Sequence, residues 1–530
     1  MYRRTLFFYI FEQITLTNHY MKKLLSFICL GLPLLTAAQT TISVNTDRVI
    51  GKIDKNIYGV FMEPIGRDQE PPIENNVYGP LYCPGTPNAN ADGFNQLYID
   101  AFRELQIPAM RWPGGNYVAG YNWEDGIGPK DQRPVRKDLA WGGYETNQVG
   151  TDEWVALNKA IGSENIICLN LGLGDINSAR FWCEYTNVDH GTYYSDLRAK
   201  YGHPEPYKVK YWGLGNEVDG YPWIMGHKNA DDYVKVAIEA AKALRAVDRS
   251  VQFVANGSAY YPDGTWAEWN RKVVEGLTGI AHYISIHRYW RDGLDESRAD
   301  DYYSYVGEAA ADFEEKIMSV KAQVDIQKAL HPEKRSLMLS VDEWGAHGAA
   351  GIKNVLAGAM CLNSFVRHAD FVKMGAYTMA TGLLASDRES GQYYKSPWFY
   401  AYKMFSTNCL GESFDTYVSG DTFSSGPYDN IPYLDATAAT SEDGKTLFVT
   451  VVNRHEKDAI KADIQNVGKN AFAAGRVTVC SIEGGLDDTF TYAKRDSYAP
   501  KESTVNVARD GKITYTFPAH SITQFAIPVK

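Results

Sequence analysis

Two carboxylates stand where a reaction would want them. Glu217 closes the run VKYWGLGNE (209–217), and Glu343 sits near the end of LMLSVDEWG (337–345). A charged group that follows a buried apolar run is costly unless it is paired or used. Neighbouring runs of the same texture end on Glu63 (NIYGVFME, 56–63), Arg111 (IPAMRWPG, 107–114), Asn216, and His287 with Tyr289 (HYISIHRYW, 282–290). Two carboxyl groups framed by Arg, Asn and Tyr can cleave a glycosidic bond with retention. One protonates the leaving oxygen and the other attacks the anomeric carbon, from roughly 5 Å apart. Asp342 adjoins Glu343, and alternation along a strand turns it away from the pocket, toward the helices or a neighbouring strand. Asp219 falls beyond its strand and is expected to shape the loop.

Other chemistries lack their patterns. His287 has no H-E-x-x-H frame and no second histidine close by, so it reads as a hydrogen-bonding pocket residue rather than a metal ligand. RWPGGN (111–116) lacks the Lys-Ser/Thr ending of a phosphate loop and reads as a turn that exposes Arg111 and Asn116. Ser258 in NGSAY lacks the G-x-S-x-G frame of a nucleophile elbow. The chemistry requires no metal and no organic cofactor.

These residues need a scaffold that brings strand ends together. Besides the runs above, strand candidates occupy 166–174, 251–258 and 374–382, which makes eight. Between several of them lie helical patterns such as ADDYVKVAIEAAKALRAV and AAADFEEKIMSVKAQVDIQKAL, with apolar residues three and four apart. Eight alternating β and α units predict a (β/α)8 TIM barrel over 51–408, whose catalytic groups project from the C-terminal ends of its strands. No G-x-G-x-x-G follows the first strand, so a dinucleotide fold lacks its fingerprint. From about residue 409 the helical period fades into short β runs separated by Asp, Gly and Asn, which predicts a C-terminal all-β sandwich over 409–530. A ninth strand at 39–50 has no place in an eight-stranded barrel and is expected to join that sandwich.

The formal charge of −11, with scattered Lys and Arg, excludes a nucleic-acid partner, which needs a basic face. Seven cysteines, widely spaced and without a C-x-x-C pair, do not form a disulfide framework. From Met21 the chain reads MKKLLSFICLGLPLLTAAQT, two lysines, an apolar run and small residues. This is the pattern of a secretory signal ending near Ala38, with Met21 as the true start. It predicts a signal-peptide region over 1–38, a periplasmic or secreted protein, and no stable membrane insertion after cleavage.

Five segments in order, MRWPGGNYVAGYNWEDGIGP, WGGYETNQVGTDEW, YWGLGNEVDG, YISIHRYW and VDEWG, resemble glycoside hydrolase family 51, the α-L-arabinofuranosidases. The likeness runs from about Ile57 to PAHSITQFAI at the end. It implies that Glu217 is the acid/base and Glu343 the nucleophile. It also implies that Glu63, Arg111, Asn116 and Asn216 hold the furanose ring, that Tyr289 touches the nucleophile, and that Gln392 in QYYKSP binds sugar. The implied activity is exo-acting, retaining removal of α-L-arabinofuranosyl groups from arabinoxylan, arabinan or derived oligosaccharides. An endo-β-1,4-glucanase or another glycosidase on the same barrel is the alternative, and a non-catalytic sugar-binding protein is a second one. A homo-oligomer stays open. Burial and the charge of Glu343 are expected to raise the pKa of Glu217, and Trp112, Trp223 and Trp290 are candidates to wall the sugar. The chain departs from the family at Pro64, where His is usual, in the Pro- and Asn-rich loop 68–90, and in GYPWIMGH, where Ile224 replaces a polar group.

Overall fold

The computed structural model describes residues 40–65, 77–221, 223–261, 264–346, 351–387 and 391–529. The expected signal segment, and residues 68–76 of the loop 68–90, lie outside them. Strand β1 (Thr40–Lys52) comes first and is followed by the barrel strands β2 (Val60–Phe61), β3 (Ala109–Trp112), β4 (Glu164–Cys168), β5 (Tyr211–Leu214), β6 (Gln252–Ala255), β7 (Tyr283–Tyr289), β8 (Met338–Gly345) and β9 (Val372–Thr378). The strands β2 to β9 pair in parallel with their sequence neighbours, and β9 closes on β2. The eight runs expected from sequence are these eight strands.

The crossover helices follow their sequence period. The helix Ala230–Val247 begins at Asn229, whose side chain accepts from the Asp232 amide, and it buries Ala237, Ala240, Ala241 and Leu244. That spacing of three and four lays one apolar stripe against the strands. A separate cluster of Ala109, Ile166, Tyr211, Val254, Tyr283 and Met374, one from each of six strands, fills the inside of the barrel and makes it a packed core rather than a pore. Two residues further along, on the same face of each strand, stand Arg111, Cys168, Gly213 and Ser285. The apolar floor therefore supports a polar layer directly above it.

The strand β1 lies inside a nine-stranded sheet, antiparallel to Glu412–Ser419 and parallel to Ile460–Asn466. This sheet curls over its own core of Ile42, Val44, Val449, Ile464, Val479, Phe517 and Phe525, forming the C-terminal sandwich. It docks on the helix Ile352–Arg367, which follows β8. There Asn363 donates to Asp435, Arg367 pairs with the same carboxylate, and Ser413 donates to the Val366 carbonyl.

Candidate active site

The polar layer is held together by Arg111. Its Nη1 donates to Glu343 Oε1 at 2.8 Å and its Nη2 to Asn216 Oδ1 at 2.6 Å. The second bond fixes the amide, because only its oxygen can accept from a guanidinium. Asn216 Nδ2, which has no hydrogen-bond partner among the described residues, is thereby presented as a buried donor. Glu343 Oε2 accepts from the Tyr289 hydroxyl at 2.6 Å. Glu217 Oε1 lies 2.8 Å from His287 Nδ1, and its Oε2 accepts from Trp223 Nε1 at 3.0 Å. Donor atoms of Glu217, His287 and Glu343 all fall within 4.8 Å of one another. Arg111 and the imidazole already satisfy those carboxylates, so the arrangement is a hydrogen-bonded acid pair and not a cation cage. A carboxylate separation near 5 Å suits attack by one carboxylate while the other protonates.

The turn that presents Glu217 is conformationally demanding. Gly215 has φ +97° and Glu217 itself φ +45°, and the Gly220 amide closes the turn onto the Glu217 carbonyl at 2.7 Å. An L-residue with a side chain adopts left-handed backbone at a cost, and such positions cluster at functional sites. Beyond the turn, Asp219 accepts from the Ala259 and Tyr260 amides and ties two barrel loops together, the loop-shaping role expected of it.

Glu63 is fixed from two sides. Its Oε1 accepts from the Tyr117 amide at 2.8 Å and from Trp141 Nε1 at 2.7 Å. Between them Gly115, at φ +24°, passes so close that an added Cβ would lie 1.9 Å from Glu63 Oε2. Gly115→Ala is therefore expected to expel the Glu63 carboxyl and lower kcat/KM by at least about 100-fold, as an ångström-scale misplacement does. A steady-state assay on an aryl glycoside checks this, and near wild-type turnover would contradict it. Asn116 follows, buried, with an Oδ1 that has no hydrogen-bond partner among the described residues.

Two expectations are corrected here. Asp342 was expected to turn from the pocket toward the helices or a neighbouring strand; it does meet the neighbouring strand, at His287, but on the pocket side. In the pairing of β7 with β8, Ser340 opposes Ser285 and Glu343 opposes His287, so three steps on one strand match two on the other. This β-bulge breaks the alternation. It leaves Asp342 buried against the same cluster, with Oδ1 3.3 Å from His287 Nε2 and Oδ2 3.5 Å from Arg111 Nε. Nor is the Glu217 carboxyl raised. Burial pushes it up, but the hydrogen bond and charge of His287, with the Trp223 indole, outweigh that and hold it below its usual value. Burial works against a charged His287, yet Glu343, Asp342 and Glu217 lift its pKa well above the ordinary one. Glu63 is raised well above a normal carboxylate by burial and by Glu343. Burial also opposes the charge on Arg111, but Cys168, Asp342 and Glu343 outweigh it and raise the guanidinium further.

Of the sequence-predicted residues, Glu63, Arg111, Asn116, Asn216, Glu217, His287, Tyr289 and Glu343 converge at this barrel mouth. Gln392 does not join the buried cluster. It is exposed in the loop between Ala385–Ser386 and Tyr393–Tyr394, where its carbonyl accepts from the Asp387 amide. Trp112 stacks on Trp154 in the core, and Trp290 donates to the Tyr305 carbonyl behind β7, so neither walls a sugar. Trp223, 39% exposed, stands at the rim. Ile224 is buried, and its replacement of a polar group is a packing change. Sequence reasoning missed Trp141. The Gly-Gly that follows it marks a turn, but nothing along the chain ties it to a carboxylate 78 residues earlier.

Residues 101–305 match the model of the α-L-arabinofuranosidase 1 domain, and residues 342–521 that of the α-L-arabinofuranosidase C-terminal domain. The chain is 36% identical over 453 residues to the intracellular exo-α-(1→5)-L-arabinofuranosidase 1 of Bacillus subtilis, covering 81% of this chain and 87% of that protein. It is 35% identical over 444 residues to the corresponding intracellular enzyme of Halalkalibacterium halodurans, covering 79% and 86%. Its fold is similar to the arabinose complex of an α-L-arabinofuranosidase from Thermotoga maritima, with a TM-score of 0.81, 30% identity, and coverage of 92% of this chain and 100% of that one. The two bacterial relatives are named intracellular, which overturns the expectation of a secreted or periplasmic protein. Two lysines before an apolar run are a compositional cue, and composition alone does not make a segment an export signal. The matched domains, the identities and the shared barrel agree: the chain belongs to glycoside hydrolase family 51, the α-L-arabinofuranosidases.

Proposed function

We propose that this protein is a retaining, exo-acting α-L-arabinofuranosidase that removes terminal arabinofuranosyl groups from arabinose-containing oligosaccharides by double displacement. The observation that carries the reading is the pair Glu217 and Glu343, brought within 4.8 Å at the ends of β5 and β8. Glu343 is the nucleophile, oriented by Arg111 and Tyr289. Glu217 is the acid/base, nearer the rim, with a side chain 12% exposed against 5% for Glu343. A deep nucleophile beneath a shallower acid fits a pocket that admits one terminal sugar and leaves the rest of the substrate outside. Glu63, Asn116 and Asn216 supply hydrogen bonds to that sugar, His287 orders the two catalytic carboxyls beside it, and Gln392, on its exposed loop, adds to the sugar contacts at the edge. We assign catalysis to a barrel unit over 51–408, and a supporting role to a sandwich formed by 39–50 and 409–530.

Proton nuclear magnetic resonance of an aryl α-L-arabinofuranoside during hydrolysis tests the reading. The α-anomer of arabinose should form first, and a soluble glucan should be left intact. First appearance of the β-anomer, or turnover of the glucan alone, would sink it. Asn216→Ala is expected to lower kcat about 100- to 1,000-fold while moving KM little. Its Nδ2 donates to the hydroxyl beside the reacting carbon, and that bond strengthens as positive charge grows on the ring. Steady-state kinetics on the same substrate give both constants.

A further inference from the structure

We propose that Asp342 is a positioning residue of this reaction, holding the His287 ring so that one imidazole N–H serves Glu217 and Glu343 in turn. The inference deepens the double-displacement reading above and rests on it.

The geometry begins with the bulge in β8, which brings Asp342 to the same side as its neighbour Glu343. His287 then has carboxylate oxygens at both ring nitrogens. Asp342 Oδ1 is 3.3 Å from Nε2, Glu217 Oε1 is 2.8 Å from Nδ1, and Glu343 Oε1 is 3.6 Å from Nδ1. A neutral imidazole carries one N–H and offers a lone pair at the other nitrogen, which would meet a carboxylate with repulsion. With Glu217 and Asp342 both ionised, a charged oxygen faces each nitrogen and both nitrogens are protonated, so the ring is a cation. The charged and titratable groups around it are Glu217 after β5, Asp342 and Glu343 on β8, Arg111 on β3, Tyr289 on its own strand and Glu63 after β2. The raised pKa of His287 agrees: burial alone would pull it down, and Glu343, Asp342 and Glu217 reverse that.

The two glutamates exchange charge during a double displacement. The first step needs Glu343 ionised and a proton on Glu217, whose carboxyl the charged ring holds below its usual pKa in the substrate-free site. In the glycosyl-enzyme Glu343 is a neutral ester and Glu217 is ionised. A donor between them is most useful when it follows the charge. His287 Nδ1 can do so with a ring movement of less than an ångström, since its distances to the two oxygens are 2.8 and 3.6 Å. Asp342 faces the ring from the other side as an ion-pair partner, 3.3 Å from Nε2 and 3.5 Å from Arg111 Nε, and its charge keeps the second proton on the ring.

The test compares the wild type with Asp342→Asn and Asp342→Glu. Asp342 stabilises the cationic ring, so its removal lowers the pKa of His287. Activity that needs the cation then fails at lower pH. The alkaline limb of kcat/KM on an aryl α-L-arabinofuranoside should move down by about one pH unit or more in Asp342→Asn, with the optimum reduced about 10- to 100-fold, and Asp342→Glu should return the limb toward wild type. A uniform loss with the limb unmoved, or no loss, overturns the proposal. Nitrogen-15 resonance of the His287 ring in the substrate-free wild type settles the matter should Asp342→Asn fail to fold. Both ring nitrogens should be protonated at pH 7.5, and a singly protonated ring overturns the proposal. That measurement needs no substrate, so it separates failure of this inference from failure of the assigned activity.

Discussion

Glu343→Ala is expected to lower kcat/KM on an aryl α-L-arabinofuranoside by about 10,000-fold or more, because no other group can take its place. Asp342 is the adjoining carboxylate in the chain, but it lies one bulged residue back and faces His287 Nε2 and Arg111 Nε. Glu63 is held by the Tyr117 amide and the Trp141 indole, and burial and Glu343 raise its pKa, which disfavours the ionised form a nucleophile needs. A factor of 10,000 is about 5.4 kcal/mol of transition-state stabilisation, which is reasonable for losing the covalent step and the charge that faces an oxocarbenium-like ring. The fold should survive. Arg111 keeps Asn216 and Asp342, and removing one of several crowded carboxylates relieves repulsion, so the thermal midpoint should hold or rise. Residual turnover above about 1% in a preparation free of wild-type enzyme would show that another residue is the nucleophile.

Glu217→Ala should separate substrates by leaving group. With an oligosaccharide, whose leaving oxygen needs a proton, the loss should reach about 1,000- to 10,000-fold, near the upper range for general acid catalysis. With a dinitrophenyl leaving group the first step needs little help, and the glycosyl-enzyme should accumulate because no base activates water. Azide, which needs no base, should then restore turnover and give the arabinosyl azide of retained configuration. An equal loss on both substrates, with no rescue by azide, would remove Glu217 from the acid/base role. The same variant frees the His287 proton and the Trp223 indole from their shared carboxylate. A rise in affinity for arabinose would show that those donors turn to the sugar.

The strand ends were legible in sequence because a buried carboxylate after an apolar run has few structural excuses, and β5 and β8 place Glu217 and Glu343 as that logic requires. What resisted sequence reading has a physical origin in each case. Asp342 was assigned to the wrong side because alternation assumes an unbroken register, and one extra residue between Ser340 and Glu343 inverts the answer. The direction of the Glu217 shift was missed because it depends on the His287 ring and the Trp223 indole reaching its carboxyl, contacts made from a strand two positions away and from a loop. Trp141 reaches Glu63 from a loop, and Trp112 and Trp290 are core residues whose type alone cannot separate packing from ligand contact. The helix Ala230–Val247 was readable to the residue, since its cap and its apolar stripe are both local features.

The placement of β1 has a consequence for synthesis in the cell. Its residues leave the ribosome first among those described, yet the strand that pairs with it begins at Glu412, 360 residues beyond Lys52. At roughly 5–20 residues per second, β1 waits about 20–70 s for a partner, with Ile42 and Val44 exposed and both strand edges open. The barrel is complete through β9 before that partner emerges, so the chain can assemble its catalytic mouth while its own beginning is still unpaired. Shortening the protein at residue 409 would make that wait permanent and leave a template for edge-to-edge aggregation.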